Sequence, residues 1–422
     1  MLTMPTQQIY TQKPEHLATS GGEKNIYASI SKRSRIESID ILRGLAMVIM
    51  ALDHVRDYFH ISANIDDPLN LDTTTPLLFF TRWITHFCAP IFVFLSGTSI
   101  YLMSQKKTKK EISSFLITRG IWLVLVEVMI ITFGWTFNPL YNLLILQVIW
   151  AIGISMILMG LLVQLPFKVI FALGILIVFG HNILDYESVS EGLKGSAFAD
   201  LLYFSNFSVY TLFTDHFVII VYSFLPWTGV MMLGYCFGKL YEQGVDAAWR
   251  RKKLIQLGLG LLTLFVLLRF SNIYGDPVAW TTQPRGPVYT FLSFLNVNKY
   301  PPSLLFLSVT IGTGILFLAF IEKIKNRFTT VMNIYGRVPM FYYILHFYII
   351  HTLVVIVFYL QGFGSEDIVT PNVPFLFKPQ AFGFNLWGVY AVWLFVVIVL
   401  YPLCKKYNNY KSTHQKWWLG YL

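Results

Sequence analysis

Charged residues are scarce in this sequence, in which Asp, Glu, Lys and Arg make up 13% of the 422 positions. Soluble chains carry about a quarter, so a soluble globular domain is excluded. The hydrophobic fraction is 55% and the mean hydropathy is +0.58, which indicates a chain surrounded by lipid. Cysteine is scarce as well, and Cys88, Cys236 and Cys404 form no CxxC or Cys/His spacing. The sequence therefore predicts neither a disulfide framework nor a metal site.

An apolar leader and a cleavage site are also missing from the first 38 residues, which are polar and mixed in charge. We therefore predict a flexible cytoplasmic N-terminal tail over residues 1–38. The net charge of +10 does not indicate a nucleic-acid partner, because Lys and Arg form short clusters between apolar runs rather than one basic face. Such clusters are typical of signals that orient membrane helices.

Long apolar runs fill the rest of the chain, and a spanning helix needs about 20 such residues. The fold class is therefore predicted as all-α, a polytopic transmembrane helix bundle over residues 39–404. A short basic cytoplasmic C-terminal tail follows over 405–422. We predict about ten spans, at 39–60, 78–103, 113–135, 141–163, 166–184, 216–240, 253–272, 302–321, 337–360 and 386–404. An interfacial helix within 185–215 leaves an eleventh element open.

The charges of the connections give an independent test of this arrangement, because cytoplasmic loops of membrane proteins are rich in Lys and Arg. Alternate connections are basic, as at 106–110, 250–253 and 323–327. The others carry acidic residues, as at 66–72 and 185–200. Both termini are therefore predicted to be cytoplasmic.

Polar side chains inside the spans are costly in lipid, so each is a candidate functional group that faces the bundle interior. Arg43 lies near the cytoplasmic end of span 1. The others count to the outer half of their spans: Asp53, His54, Asp57, Arg82, His86, Glu127, Gln147, Arg269 and His351. This common depth predicts a site that is open to the outer side. We predict that substrate binds there to Arg82, Glu127, Gln147, Arg269 and His351.

His54 is the first candidate for a catalytic general base. Asp57 lies three residues further on, on the same helical face, and Asp53 is adjacent, so a carboxylate could fix the imidazole tautomer. His86 is a further catalytic candidate, with an interfacial role shared with Arg82 as the alternative.

Structural roles compete for some of these residues. Glu127 could neutralise an arginine of a neighbouring span. His346 and His351 lie five residues apart, diverge on a helix and therefore make a poor metal pair.

Two stretches carry a family resemblance, namely SIDILRGLAMVIMALDH (Ser38 to His54) and CAPIFVFLSGTSI (Cys88 to Ile100). The Asp-x-x-Arg-Gly opening, with a His eleven residues after the Arg, resembles the acyltransferase-3 family of the transmembrane acyltransferase superfamily. The opening is also similar, and more closely, to the heparan-α-glucosaminide N-acetyltransferase family and its bacterial relatives. This second resemblance extends to GRVPMFYYILH (Gly336 to His346).

The resemblance implies that an acyl group, usually acetyl, moves from cytosolic acyl-CoA to a hydroxyl or amine of a sugar on the outer side. Its partners would be acetyl-CoA or another acyl-CoA as co-substrate, a sugar or glycan acceptor, and the lipid of a bacterial cytoplasmic membrane. A homodimer is left open. Arg43 would lie near the CoA entrance, and Arg337, from its position at the cytoplasmic start of span 9, would contact a phosphate.

The two family templates disagree about the base. In the heparan enzyme the position that matches His54 looks like Asn, and the catalytic His lies further along, in the outer loop. His60 lies in that region here, but not at the corresponding spacing. His54 is therefore ranked first, with His60 and His86 behind it, and an acetyl-histidine intermediate stays open.

A proton-coupled secondary transporter of a small polar or sugar-like solute is the alternative class. Buried His and Asp residues would then carry protons. Such a transporter is expected to show inverted repeats and broken helices, and the sequence shows neither clearly.

Overall fold

The computed structural model describes residues 36–63, 65–370, 373 and 375–420. Its main elements are α1 (Glu37–Phe59), α2 (Pro76–Thr85), α3 (Cys88–Ser104), α4 (Lys109–Thr136, with a π-helical turn at Glu127–Ile131), β1 (Leu143–Leu146), α5 (Val148–Leu162), α6 (Phe167–Gly180), β2 (Ser208–Phe213), β3 (His216–Ile220), α7 (Phe224–Phe237), α8 (Ala247–Ser271), α9 (Pro287–Leu295), α10 (Leu304–Ile321), α11 (Arg327–Arg337), α12 (Pro339–Leu360) and α13 (Leu386–Thr413). Shorter turns lie at His181–Asp185, Glu187–Ser190, Ala197–Ala199, Asp200–Phe204, Gly238–Tyr241, Ser365–Asp367 and Trp417–Gly420.

Several helices begin at a residue whose side chain caps the first free backbone N–H groups. The Thr108 hydroxyl accepts from Glu111 N, and the Glu111 carboxylate accepts from Thr108 N in return, so α4 begins with a capping box. Asp246, Ser303 and Asn385 cap α8, α10 and α13 in the simpler one-way manner. Local sequence therefore sets these starts.

Within the described ranges, seven helical segments are long and apolar enough to cross a membrane, namely α2 with α3, α4, α6 with its 3₁₀ extension, α8, α10, α12 and α13. The chain is thus a helical membrane protein. α1 has 23 residues, roughly 35 Å at 1.5 Å per residue, but it carries six charged side chains. The number of ten spans and the cytoplasmic placement of both termini stay predictions.

The all-α prediction needs a correction, because three strands form a small sheet in the order β1-β3-β2. β3 pairs in parallel with β1 and antiparallel with β2. The predicted spans 141–163 and 216–240 therefore begin as strands, and their helices start at Val148 and Phe224. Short apolar runs fit a strand as well as a helix. Pro226 in the first turn of α7 also disfavours an earlier helical start.

The predicted tails can be compared with the structure only in part. Residues 1–35 lie outside the described residues, and α1 begins at Glu37, inside the range predicted as tail. At the other end, α13 continues to Thr413, so the first half of the predicted C-terminal tail is helical.

α1 lies at the centre of the bundle and contacts α2, α3, α10, α11, α12 and α13. Near its start, glycines bring two backbones together. A Cβ atom on Gly44 would collide with the Met332 carbonyl of α11, and one on Gly336 would collide with the Asp40 carbonyl of α1. We call this glycine crossing the closed end of α1.

Candidate active site

A cavity of about 790 Å³ lies at the other end of α1, which we call the cavity end. Its lining includes segments 67–72, 206–207 and 296–300, which come from connections predicted to share the outer side, and residues 221–222, which precede α7. It also includes six of the predicted site residues, namely Asp53, His54, Asp57, Arg82, His86 and Gln147. One polar chamber therefore collects most of the residues that the common depth brought together.

His54 forms a hydrogen bond with another histidine, which fixes its tautomer. Its Nδ1 lies 2.7 Å from Nε2 of His346 on α12. Nδ1 of His346 faces the backbone carbonyls of Tyr343, at 2.5 Å, and Tyr342, at 3.2 Å. Carbonyls only accept, so a neutral His346 donates from Nδ1 and accepts at Nε2. His54 must then donate from Nδ1, which leaves the lone pair on its Nε2 for the cavity.

Aromatic rings hold this imidazole pair in place. The His54 ring stacks on Phe347 with centroids 4.5 Å apart, and Trp135 meets its edge at 5.1 Å. Trp135 lies near the end of α4, where its carbonyl accepts a hydrogen bond of 2.6 Å from the Tyr58 hydroxyl of α1. The His54 ring on α1 is thus held in place by side chains of α4 and α12.

The carboxylates beside His54 pair with arginines instead. Asp53 accepts from Arg56 at 2.9 Å and from Arg82 at 2.5 Å, and Asp57 accepts from Arg56 at 2.5 Å. The expectation that Asp53 or Asp57 orients the His54 ring therefore needs a correction, since His346 occupies that position. A buried arginine needs a counter-charge, and Asp53 and Asp57 supply the counter-charges of Arg56 and Arg82.

His86 lies at a break between α2 and α3. Pro90 lacks the N–H that would bond to the His86 carbonyl, so the helical hydrogen bonding is interrupted there, although His86 and Phe87 keep helical dihedral angles. The His86 side chain is buried and lines the cavity, and neither ring nitrogen has a hydrogen-bond partner among the described residues. Buried polar groups are rarely left this way. His86 is therefore suited to bind a ligand or water in the cavity.

Sequence reasoning missed the cationic loop between α9 and α10. Lys299 and Tyr300 both line the cavity, with the Lys299 ammonium 5.0 Å from the centre of the Tyr300 ring. Burial opposes ionisation of Tyr300, but Lys299 and Arg82 outweigh it and lower the pKa of its phenol. No apolar run or motif marks this loop, so the sequence carried no signal for it.

Gln147 reaches the cavity through its position between β1 and α5. Glu127, by contrast, is fully buried in the π-helical turn of α4, away from the cavity lining. Its carboxylate accepts from Trp150 N at 3.0 Å, in the first turn of α5. A carboxylate there satisfies free N–H groups of a helix start, so this structural contact replaces the arginine partner considered above.

Arg269 and His351 also lie outside the cavity lining. Arg269 donates to the carbonyls of Val278, Ser293, Phe294 and Asn296 at 2.7–2.9 Å and lies 3.7 Å from Asp276. His351 faces the carbonyls of Gly134 and Leu376 at 3.1 Å and stacks on Phe137. Arg269 therefore connects α8 to residues 278 and 293–296, and His351 connects α12 to α4 and to the loop at Leu376.

Arg43 and Arg337 belong to the closed end. Arg43 donates to Asp40, to Ser99 and to the Gly336 carbonyl at 3.1–3.2 Å. Arg337 is the last residue of α11 and is partly exposed. Neither lines the cavity, so their predicted contact with CoA stays a prediction.

Two basic side chains, those of His60 and Lys378, lie near the C-terminal end of α1. Lys378 is buried and donates to the Asp57 carbonyl at 2.6 Å. Burial lowers the pKa of Lys378 to about 8. His60 contacts Ser62 Oγ at 2.8 Å and is absent from the cavity lining. The geometry thus favours His54 over His60 as the base.

The fold and the cavity define a helical membrane protein with a histidine pair facing a polar chamber between its helices. Residues 35–267, more than half of the chain, match the family model described as heparan-alpha-glucosaminide N-acetyltransferase, catalytic. The chain therefore belongs to this family of acetyltransferases, and the resemblance of its motifs to the heparan-α-glucosaminide N-acetyltransferase family is confirmed. A search of curated proteins finds no match. The matched range includes His54 and His86 but ends before Lys299 and His346.

Proposed function

We propose that the chain transfers an acyl group, acetyl in the first instance, from cytosolic acyl-CoA to a hydroxyl or amine of a sugar in the cavity. The observation that supports this most is the His54–His346 pair, because it presents a lone pair on Nε2 to a polar chamber. A base with a fixed tautomer is what proton removal from a weakly acidic acceptor requires. The family match supports acetyl as the group that is transferred.

In the proposed reaction, His54 Nε2 takes the proton of the acceptor hydroxyl or amine as that atom attacks the thioester carbonyl. The new C–O or C–N bond forms, the C–S bond breaks, and CoA leaves as its thiolate. The imidazolium then returns its proton to the thiolate or to water. His86 is the proposed donor to the oxyanion, since its nitrogens are otherwise unpartnered.

The same lone pair could attack the thioester directly. His54 would then carry the acetyl group, and a second step would pass it to the acceptor. Brief incubation of the protein with radiolabelled acetyl-CoA and no acceptor separates the two routes. Covalent label near one per protein indicates the acetyl-histidine route, and its absence indicates direct transfer.

The activity is tested with the purified protein in lipid nanodiscs, radiolabelled acetyl-CoA, and glucosamine and glucose as acceptors. We expect acetylated sugar and free CoA in equal amounts, and stabilisation of the protein by acetyl-CoA. Sugar uptake into proteoliposomes without any CoA requirement would instead establish the transporter.

The sidedness of the site is part of the proposal. Replacement of the exposed Lys194 by Cys gives a label position in a connection predicted to be external. Labelling of intact cells by a membrane-impermeant maleimide is expected, and labelling only after lysis would reverse the orientation. The bacterial cytoplasmic membrane and the homodimer stay predictions.

A further inference from the structure

Lys299 stands apart from the other cations of the cavity. It is only 8% exposed and lines the chamber, yet it forms no ion pair with any carboxylate in the part of the chain that the structure describes. Asp53 is close enough to interact with it electrostatically. Both oxygens of that carboxylate are already paired, however, one with Arg56 and the other with Arg82.

The buried charges of the chamber do not balance. Arg56 and Arg82 share the two carboxylates of Asp53 and Asp57, so Lys299 supplies a positive charge beyond those pairs. The lining also includes Asp67 and Asp72, but both are exposed. Burial of a charge without a counter-charge is expensive. A ligand that brings a negative charge would remove this cost.

The loop that carries Lys299 is held rigidly, so its position does not depend on such a ligand. Asp276 accepts from Asn298 N at 2.9 Å and from Ser303 Oγ at 2.7 Å, on either side of Lys299. Arg269 binds the Asn296 carbonyl at 2.7 Å. A fixed cation of this kind loses little freedom on binding and therefore discriminates well between ligands.

From these observations we infer that Lys299 forms an anion subsite, and that the sugar acceptor carries a carboxylate or phosphate beside the group that is acylated. The inference rests on the proposed function, which leaves the acceptor unspecified. Tyr300 lies beside Lys299 in the lining, with the centre of its ring 5.0 Å from the ammonium, and Asn298 lines the cavity next to them.

Two other anions could meet Lys299, and kinetics separate them. A phosphate of the acyl-CoA would make Lys299 control the KM for the donor. The oxyanion of the reaction would make it control kcat for every acceptor, charged or neutral. An acidic group on the acceptor changes the KM for that acceptor alone.

The test compares glucuronate with glucose, and glucosamine 6-phosphate with glucosamine, in wild type, Lys299→Gln, Lys299→Arg and Lys194→Gln. In Lys299→Gln we expect the KM for an acidic acceptor to rise about 10- to 100-fold, with kcat and the KM for acetyl-CoA unchanged. Lys299→Arg should restore much of the loss. Lys194→Gln removes an equal charge from an exposed loop and should behave as wild type.

A binding measurement keeps this subsite testable if no transfer is observed or if the variants fail to fold. Glucuronate is expected to raise the melting temperature of the wild-type protein, whether or not acetyl-CoA does, whereas glucose at the same concentration is not. Equal shifts with glucuronate and glucose would overturn the anion subsite. So would an unchanged KM for acidic acceptors in Lys299→Gln, or a loss confined to kcat or to the KM for acetyl-CoA.

Discussion

At the closed end of α1, the backbones of Gly44 and Gly336 meet without side chains between them, whereas at the cavity end His54 and its neighbours face a chamber of about 790 Å³. Close backbone approach of this kind is how membrane helices gain packing without a hydrophobic driving force. The cavity end instead buries charges and imidazoles, which costs stability unless every group is paired. One helix thus combines a rigid anchor with a costly polar site.

This difference shows where variants should affect folding and where they should affect chemistry. Variants of the glycines at the crossing, and of Arg269 with its contacts to loop carbonyls, are expected to change the free energy of unfolding. Residues that line the cavity are expected to change rates or affinities while the protein stays folded. The following variants test that division.

Arg269 should give the largest effect on stability. Arg269→Gln removes hydrogen bonds to four carbonyls and leaves Asp276 buried without its cation. Loss of one partner of a buried pair costs about 3–5 kcal/mol, and we expect a loss of that size in the free energy of unfolding. Chemical denaturation in detergent measures this loss, and an unchanged midpoint would refute the structural role of Arg269.

A variant of Gly336 tests the closed end, again through the free energy of unfolding. Gly336→Ala places a Cβ against the Asp40 carbonyl, and overpacking of this kind costs about 1–3 kcal/mol. Gly260 of α8 is the matched control, because nothing lies within 4 Å of its Cβ position. Gly260→Ala should be neutral or stabilising. Equal melting temperatures for the two variants would contradict the close crossing.

His346 tests the fixed tautomer. His346→Ala removes the acceptor for His54 Nδ1–H, so the proton can move to Nε2 and block the base. We expect kcat to fall about 100-fold while the KM for the acceptor stays unchanged. His346→Gln keeps an acceptor oxygen and should lose less. Identical losses in the two variants would argue for a packing role instead.

Lys378 gives the smallest effect, and its sign follows from its pKa. Burial lowers the pKa to about 8, from 10.5 in an exposed lysine, so the folded state releases this proton before the unfolded state does. Below pH 8 both states hold the proton, and between pH 8 and 10.5 stability rises with pH. From pH 7 to 9.5 the gain is about 2 kcal/mol.

Lys378→Met isolates this contribution. The stability of wild type relative to the variant should increase by that amount over the same pH interval, as measured by denaturation at the two pH values. Lys405→Met removes an exposed lysine and serves as the control. A wild-type stability that follows the same pH trend as Lys378→Met would remove the pKa argument.

Much of the helical architecture could be predicted from apolar runs, because lipid requires long continuous helices. The runs at 143–146 and 216–220 misled the prediction, since they are apolar but too short to distinguish a strand from a helix. The single predicted span 78–103 corresponds to α2 with α3, and the interruption at His86 was readable in principle from Pro90.

The sequence predicted which residues belong to the site better than it predicted the contacts between them. Depth in a span brings polar residues to one level, but it does not give the rotation of each helix. His54 and His346 are 292 positions apart, so their hydrogen bond has no local sequence signal. Arg269 and Glu127 were predicted to lie at this depth, but their side chains bind loop carbonyls and a helix start. Lys299 lies in a loop, where apolar patterns carry no information.

The most direct test of the proposed mechanism compares two histidines at the end of α1. His54→Gln removes the lone pair that faces the cavity, whereas His60→Gln changes a histidine outside its lining. With radiolabelled acetyl-CoA and an acceptor, we expect the transfer rate of His54→Gln to fall about 10³-fold with the melting temperature unchanged. His60→Gln should stay within about twofold of wild type. A folded His54→Gln protein with near wild-type transfer, or a loss seen only in His60→Gln, would contradict the account.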